Sequence, residues 1–281
     1  MKLRKEITKA GQTYFIRIFG ARKSRPPGMK REKRCRPTCE QVRHLNALRA
    51  ERYFQMLLNH NFRDGDYHLT LTYEVVPTVD QARKNIEKFQ RRLRSLYRRR
   101  GVLLRWVSVT EYQRNRIHHH MVITGGVSLE DIKAIWPDGF IFDRRLHTHG
   151  DYRDLASYLL KETRHHLPAE GVPSNRRYGY SRTIVKPETR REDVNLSEMD
   201  TPKVPKGYYL DEETKFEGLN PVTERPFVEY VLLPLAPEAD LKKWKRLKRT
   251  RPKPDGYQAW LRDHAEYQLQ MPTDCGGLYD D

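Results

Sequence analysis

Between Tyr67 and His166 the hydrophobic pattern changes period several times. Tyr67-His68-Leu69-Thr70-Leu71-Thr72-Tyr73 follows an Asp64-Gly65-Asp66 turn and is rich in β-forming residues, which predicts a strand. Thr78 and Gln81 have capping-box spacing and open a helix that Gly101 ends, with Ile86, Phe89, Leu93 and Leu96 as its buried stripe. Leu104 to Tyr112 predicts a strand, Gln113 to Arg116 is polar and turn-like, and Ile117 to Ile123 predicts the strand that completes a hairpin. Ser128 caps a short helix, Phe140-Ile141-Phe142 begins another strand, and Asp151 to His166 reads as a helix with Leu155 and Leu159 on its apolar side. The order is βαββαβα. Without its last helix it is the ferredoxin-like βαββαβ pattern, an α+β fold with an antiparallel sheet and helices on one face. The Thr70 and His118 strands are expected at its centre.

The flanks are less regular. Tyr14 to Phe19 predicts a strand, and Arg22 to Arg36 is a basic, proline-containing loop. Thr38 and Gln41 form a second capping-box signal before a helix with Ala47, Ala50, Phe54, Leu57 and Leu58 at helical spacing. From 187 to 224 the chain holds 10 acidic and 5 basic residues and four prolines, and most of this stretch reads as linker and loop. Tyr208-Tyr209-Leu210 and Phe227 to Leu232 are candidates for a late hairpin, followed by a basic tail. Three regions result: a basic extension over 1–62, a central domain over 63–186, and a linker, hairpin and tail over 187–281.

Strand parity supplies the candidate chemistry. In Ile117-His118-His119-His120-Met121-Val122-Ile123, residues 117, 121 and 123 share one face and His118, His120 and Val122 the other. Two imidazoles two residues apart on a strand project side by side, a pincer for a divalent metal. If the turn centres between Arg114 and Asn115, Glu111 lies opposite His118 and adds a carboxylate. A one-residue slip puts it on the wrong face. The plainer alternative is a histidine-rich strand without a ligand role. The rival pair His147 and His149 is followed by Gly150 rather than an apolar run and reads as a polar strand end. Cys35, Cys39 and His44 lack an obvious fourth zinc ligand.

Charge narrows the class. The 281 residues hold 54 Lys and Arg against 37 Asp and Glu, a net +17, which points to a polyanionic partner, most simply nucleic acid. Residues 1–52 contribute 16 basic side chains against 4 acidic, so Arg22, Lys23 and Arg25 are candidate phosphate contacts. The helix ending near Arg100 carries Arg91, Arg92, Arg94, Arg98, Arg99 and Arg100, either a solvated face or one turned to DNA. No apolar run approaches the roughly 18 residues of a membrane span, the N-terminus lacks a signal-peptide core, and three cysteines make no disulfide framework. A soluble protein of the host cytoplasm, with no membrane partner, is the expectation.

Tyr158 and Lys161 are three apart on the last helix, one above the other. A tyrosine is a covalent nucleophile when activated, and an ammonium nearby eases loss of its proton. Such a pair is common at a core edge, so alone it decides nothing. Together, Leu69-Thr70-Leu71-Thr72-Tyr73, Ile117-His118-His119-His120-Met121-Val122 and Ser157-Tyr158-Leu159-Leu160-Lys161 resemble, in order and spacing, the motifs of HUH endonucleases, specifically rolling-circle replication initiators akin to the filamentous-phage gene II protein. Asn175 to Arg182 is similar to a segment those proteins carry after the tyrosine helix. Many relatives have a second tyrosine four residues on, where this chain has Glu162, which suggests a single-tyrosine enzyme.

The resemblance implies a replication-associated nuclease of a mobile genetic element that nicks single-stranded DNA at an origin. His118, His120 and Glu111 would hold Mg²⁺ or Mn²⁺. Tyr158 would become covalently linked to a 5′-phosphate and free a 3′-OH, with Lys161 assisting electrostatically. Thr70, Thr72, Arg176, Arg177 and Arg182 fall in the DNA-contacting motifs. No Gly-x-x-x-x-Gly-Lys loop occurs, so a host helicase and polymerase are the expected partners. A transposase or relaxase of the same superfamily, or a non-catalytic nucleic-acid-binding protein, are the alternatives.

Overall fold

The computed structural model describes residues 3–21, 40–113, 116–147, 150–165, 178–219 and 225–235, excepting the side chains of 40–45, 113, 116 and 161–165. All of these but Leu235 belong to one compact unit, Met1–Pro234. The unit contains two five-stranded sheets.

The sheet that carries the histidines is built from β3 (Tyr67–Leu71), β4 (Trp106–Gln113), β5 (Arg116–Ile123), β6 (Ile141–Arg145) and the short β7 (Gly179–Tyr180). Its order is β6-β3-β5-β4-β7, with every pairing antiparallel. The strands predicted to be central, β3 and β5, are therefore central. The α+β class with antiparallel pairing holds.

The two helices within the βαββαβ pattern share one face, as expected, and the helices before and after it cover the other. Against the first face lie α2 (Val79–Arg99) and α3 (Leu129–Ala134). There Ile86, Phe89 and Leu93 pack on Leu69, Leu71, Met121 and Ile123, with Trp136 closing the end. The capping box at Thr78 and the Ser128 cap form as the sequence predicts. Against the second face lie α1 (Glu40–Asn61) and α4 (Arg153–His165). Phe54, Leu57 and Leu58 of α1 and Tyr152, Ala156, Leu159 and Leu160 of the α4 segment bury Val107, Val109 and Val122. The histidine pincer shares this second face.

The other sheet joins the two ends of the unit. It consists of β1 (Leu3–Ala10), β2 (Thr13–Gly20), β8 (Thr189–Val194), β9 (Tyr208–Leu219) and β10 (Pro226–Pro234) in the order β8-β1-β2-β10-β9. The late hairpin is present as β9 and β10, whose pairing includes Leu210 with Leu232. Residues 189–219, read from sequence as mostly linker, instead hold β8, the single-turn α5 (Ser197–Asp200) and most of that hairpin. Their register explains why hydrophobic periodicity is weak: Glu6 faces Arg191, Lys5 faces Glu192 and Arg4 faces Asp193 across β1 and β8. Opposite charges stand in for apolar pairs on that edge.

Helix α1 serves both sheets. Its Arg52 guanidinium donates to the Ile16 and Tyr230 carbonyls at 3.0 and 2.9 Å in the second sheet. Where the β1–β2 turn presses on α1, Gly11 has φ of 60°, and a Cβ there would stand 2.2 Å from the Asn59 carbonyl oxygen. No side chain fits at that approach.

Candidate metal centre and nucleophile

The β4–β5 hairpin has the register that strand parity requires: Glu111 pairs with His118, and Val109 with His120. Glu111 Oε2 lies 2.7 Å from His118 Nε2, and Oε1 lies 3.2 Å from His120 Nε2. One ligand atom from each residue falls within 4.8 Å of the others. Glu111 and His120 are buried, with side-chain exposures of 4 % and 1 %, while His118 at 20 % stands at the open side. Burial alone would raise the Glu111 carboxyl; the two imidazoles outweigh it and hold the group at about 2.

Two buried atoms at the centre of this group, Glu111 Oε1 and His120 Nε2, have no hydrogen-bond partner among the described residues. They face each other without hydrogen-bond alignment. An oxygen and two nitrogens converging on one point suit a divalent ion, and a shared ion would satisfy both orphaned atoms. His120 is also oriented from behind. Its Nδ1 lies 3.2 Å from Thr70 Oγ1 and 3.3 Å from His68 Nε2, so Nε2 is the nitrogen turned to Glu111.

His119 has the opposite fate. It is fully buried on the α2 side of the sheet, with Nδ1 2.8 Å from Thr110 Oγ1 and Nε2 2.8 Å from the Tyr73 hydroxyl. Burial, then the charges of His118 and His120, push its pKa down to about 3. Parity thus separates three consecutive histidines into two that join the cluster and one that belongs to the core.

Helix α4 crosses the pincer face. Its apolar side is sunk in the core, which leaves Tyr158 at the helix edge, 39 % exposed. The Tyr158 ring centroid is 5.4 Å from that of His120 and 6.3 Å from that of His68, edge-on to both. Tyr152 is fully buried in the core beneath α4. Lys161 lies on α4, but its side chain is outside the described residues.

The remaining predicted contacts are scattered. Thr70 joins the cluster through His120. Thr72 lies beyond the end of β3, and its hydroxyl donates to the Phe140 carbonyl. Arg91 and Arg94 are exposed on α2, which packs on the other face of the sheet from the pincer. Arg182 is exposed just after β7. His147 is exposed beyond the end of β6. Arg22, Lys23, Arg25, Cys35, Cys39, His149, Arg176 and Arg177 lie outside the described residues, as does the side chain of His44. His68 was not expected. Its parity with Thr70, whose partner across the ladder is His120, is the signal that identifies it. Burial, followed by His120 and Arg144, lowers its pKa to about 3.

Residues 66–165 match the family model for the replication-associated protein of the ORF2 and gene II protein type. That span runs from the residue before β3 to the last residue of α4, so it takes in the pincer, Glu111 and Tyr158. Among curated proteins and among solved structures, none matches the chain. None of the described helices is long and apolar enough to cross a membrane.

Proposed function

We propose that this chain is a metal-dependent, site-specific endonuclease that nicks single-stranded DNA at a replication origin through Tyr158. The observation that carries the reading is the approach of a half-exposed tyrosine on α4 to His120 of a buried Glu-His-His group. The match of 66–165 to a replication-associated family supports it.

Glu111, His118 and His120 would hold a divalent ion, which would supply charge neutralisation at the scissile phosphate. Mn²⁺ suits two imidazoles better than Mg²⁺. Thr70 and His68 hold His120 in place, and the core beneath α4 fixes the reach of Tyr158. The Tyr158 oxygen attacks phosphorus, and its hydroxyl proton passes to water. The bond from phosphorus to the 3′ oxygen breaks as the bond to tyrosine forms. The released 3′ oxygen takes up a proton and becomes a primer end for a host polymerase. The transesterification keeps one phosphodiester-type bond throughout, so the 3′-OH can reverse it. Strand separation is the work of a host helicase.

Incubation with single-stranded origin DNA and Mn²⁺, followed by denaturing electrophoresis, tests this. Wild type and Tyr152→Phe should give a covalent adduct, provided the core tolerates loss of the Tyr152 hydroxyl. Tyr158→Phe should fold, bind DNA and give none. An adduct that mass spectrometry maps to any other residue refutes the assignment.

A further inference from the structure

Helix α1 turns Phe54, Leu57 and Leu58 toward the metal-cluster sheet and Arg49, Arg52, Tyr53 and Met56 toward the other one. On that second side lies a cleft of about 240 Å³, and its charge balance is unusual. Four guanidiniums line it, those of Arg17, Arg49, Arg52 and Arg191, against two carboxylates, Glu6 and Glu229, a surplus of two positive charges.

The carboxylates are already engaged. Glu6 lies 2.9 Å from Arg191 Nε and 3.9 Å from Arg17 Nη1. Glu229 lies 2.9 Å from Arg17 Nε and 3.6 Å from Arg52 Nη1. Arg52 is further tethered to two strand carbonyls. Arg49 is left over: its Nη2 is buried and has no hydrogen-bond partner among the described residues. Arg17 Nε, despite its closeness to Glu229, is buried out of hydrogen-bond alignment as well. Burial and the neighbouring Arg17 both disfavour the Arg49 charge, and Glu229 offsets them only in part. A buried donor of this kind is costly unless an acceptor arrives.

We infer that this cleft is a phosphate-binding site separate from the metal cluster. A guanidinium fork matches phosphate oxygens two at a time. A lone carboxylate would cancel half of the surplus charge, whereas a phosphomonoester dianion, or two successive backbone phosphodiesters, cancels it all. The shared chemistry is a tetrahedral phosphate held by Arg49 and Arg17, with Arg52 as the fixed base. The site does not depend on the nicking activity.

The test uses the full chain, wild type and Arg49→Gln, with two probes. Titration calorimetry with orthophosphate, in chloride of matched ionic strength, reads free phosphate. Affinity for a single-stranded oligonucleotide across a salt series, in a Tyr158→Phe background that prevents cleavage, reads the strand. If the natural source is free phosphomonoester, wild type binds orthophosphate, Arg49→Gln loses at least tenfold, and oligonucleotide affinity is unchanged. If the source is the DNA backbone, Arg49→Gln lowers oligonucleotide affinity, and the slope of log affinity against log salt drops by about 0.7, the value for one phosphate contact on a single strand. Arg49→Lys, which keeps the charge without the fork, should retain part of the binding and serves if the Gln variant does not fold. If the Arg49 variants leave both probes unaffected, the site is refuted. Metal-dependent nicking, read separately with Tyr158 intact, can fail or succeed independently of either arm.

Discussion

Replacing His119 with alanine separates the structural histidine from its two neighbours. The ring is fully buried, and both of its nitrogens have hydroxyl partners at 2.8 Å. Truncation leaves a cavity, for which large-to-small core changes cost about 2–5 kcal/mol. It also removes one hydrogen bond from each hydroxyl: Tyr73 keeps the Ala82 carbonyl at 3.3 Å, and the half-buried Thr110 keeps its contact with the Tyr112 hydroxyl. Each lost bond adds roughly 0.5–1.5 kcal/mol. We expect a loss of about 3–4 kcal/mol near neutral pH, or on the order of 10 °C in melting midpoint for a unit of this size. The pH dependence is a second check. The folded pKa of His119 is lowered from 6.5 to about 3. The unfolded chain therefore takes up a proton near pH 6.5 that the folded state refuses, and stability falls as pH drops from 6.5 toward 3. At pH 5 that linkage removes roughly 2 kcal/mol from wild type and nothing from the variant. The gap between the two should therefore narrow from pH 7.5 to pH 5 in urea titrations. Below its midpoint the variant should still nick DNA with unchanged Mn²⁺ dependence. A variant that melts like wild type but has lost its metal requirement or its metal would show that the parity assignment of the three histidines is wrong.

Three further outcomes are expected. Chelation, His118→Ala and His120→Ala should each abolish nicking while leaving DNA binding measurable by filter retention, and His147→Ala, at an exposed position beyond β6, should leave nicking near wild type. Thr70→Val removes the hydroxyl behind His120 and should weaken metal affinity about 10–100-fold in a calorimetric titration, with little change in fold. Gly139→Ala would place a Cβ 2.3 Å from the Thr72 carbonyl oxygen, and should cost about 1–3 kcal/mol in denaturant unfolding while Gly150→Ala, with no atom within 4 Å, costs only its positive-φ strain.

What was legible in the sequence was local. The elements from 67 to 165, two helix caps and the face assignment of His118, His120 and Glu111 follow from periods of two and 3.6 and from a short hairpin, which fixes register within a few residues. The strand at Tyr14 and the late hairpin were legible, but their union in a second sheet was not, because β1 meets β8 and β2 meets β10 across roughly two hundred residues, and the β8 edge pairs through charges that carry no hydrophobic period. Strand β1 had one overlooked signal: Ala10-Gly11-Gln12-Thr13 is a two-residue, glycine-containing connection to the recognised strand at Tyr14. The cover that α1 gives the pincer face was likewise hidden, since its apolar stripe shows that the helix is amphipathic but not which sheet it covers.

That hidden half of the fold bears on the site. Tyr158 reaches His120 only if α4 is fixed in rotation and height above the sheet; its core residues do part of this, and polar contacts at its N-terminal end add two anchors. Asn59 of α1 accepts a hydrogen bond from the Tyr152 backbone N–H at 2.9 Å, and Gln55 donates to Asp151 at 2.8 Å. Arg153, the first residue of α4, then meets Asp211 at 2.7 Å and Glu213 at 3.1 Å on β9. The Asp211 partner is largely buried, so this contact is screened less than an exposed pair; the Glu213 partner is exposed and adds little. Tyr158 lies five residues beyond Arg153, about 7.5 Å along the axis at 1.5 Å per residue. Over so short a lever a tilt of 10° at the anchor moves the tyrosine by only about 1 Å, yet misplacement on that scale lowers rates about a hundredfold in positioned reactions. The acidic stretch from 187 to 224, which reads as linker, thus supplies through Asp211 one of the two anchors of the nucleophile's helix. The other comes from α1, the helix that also lines the arginine cleft.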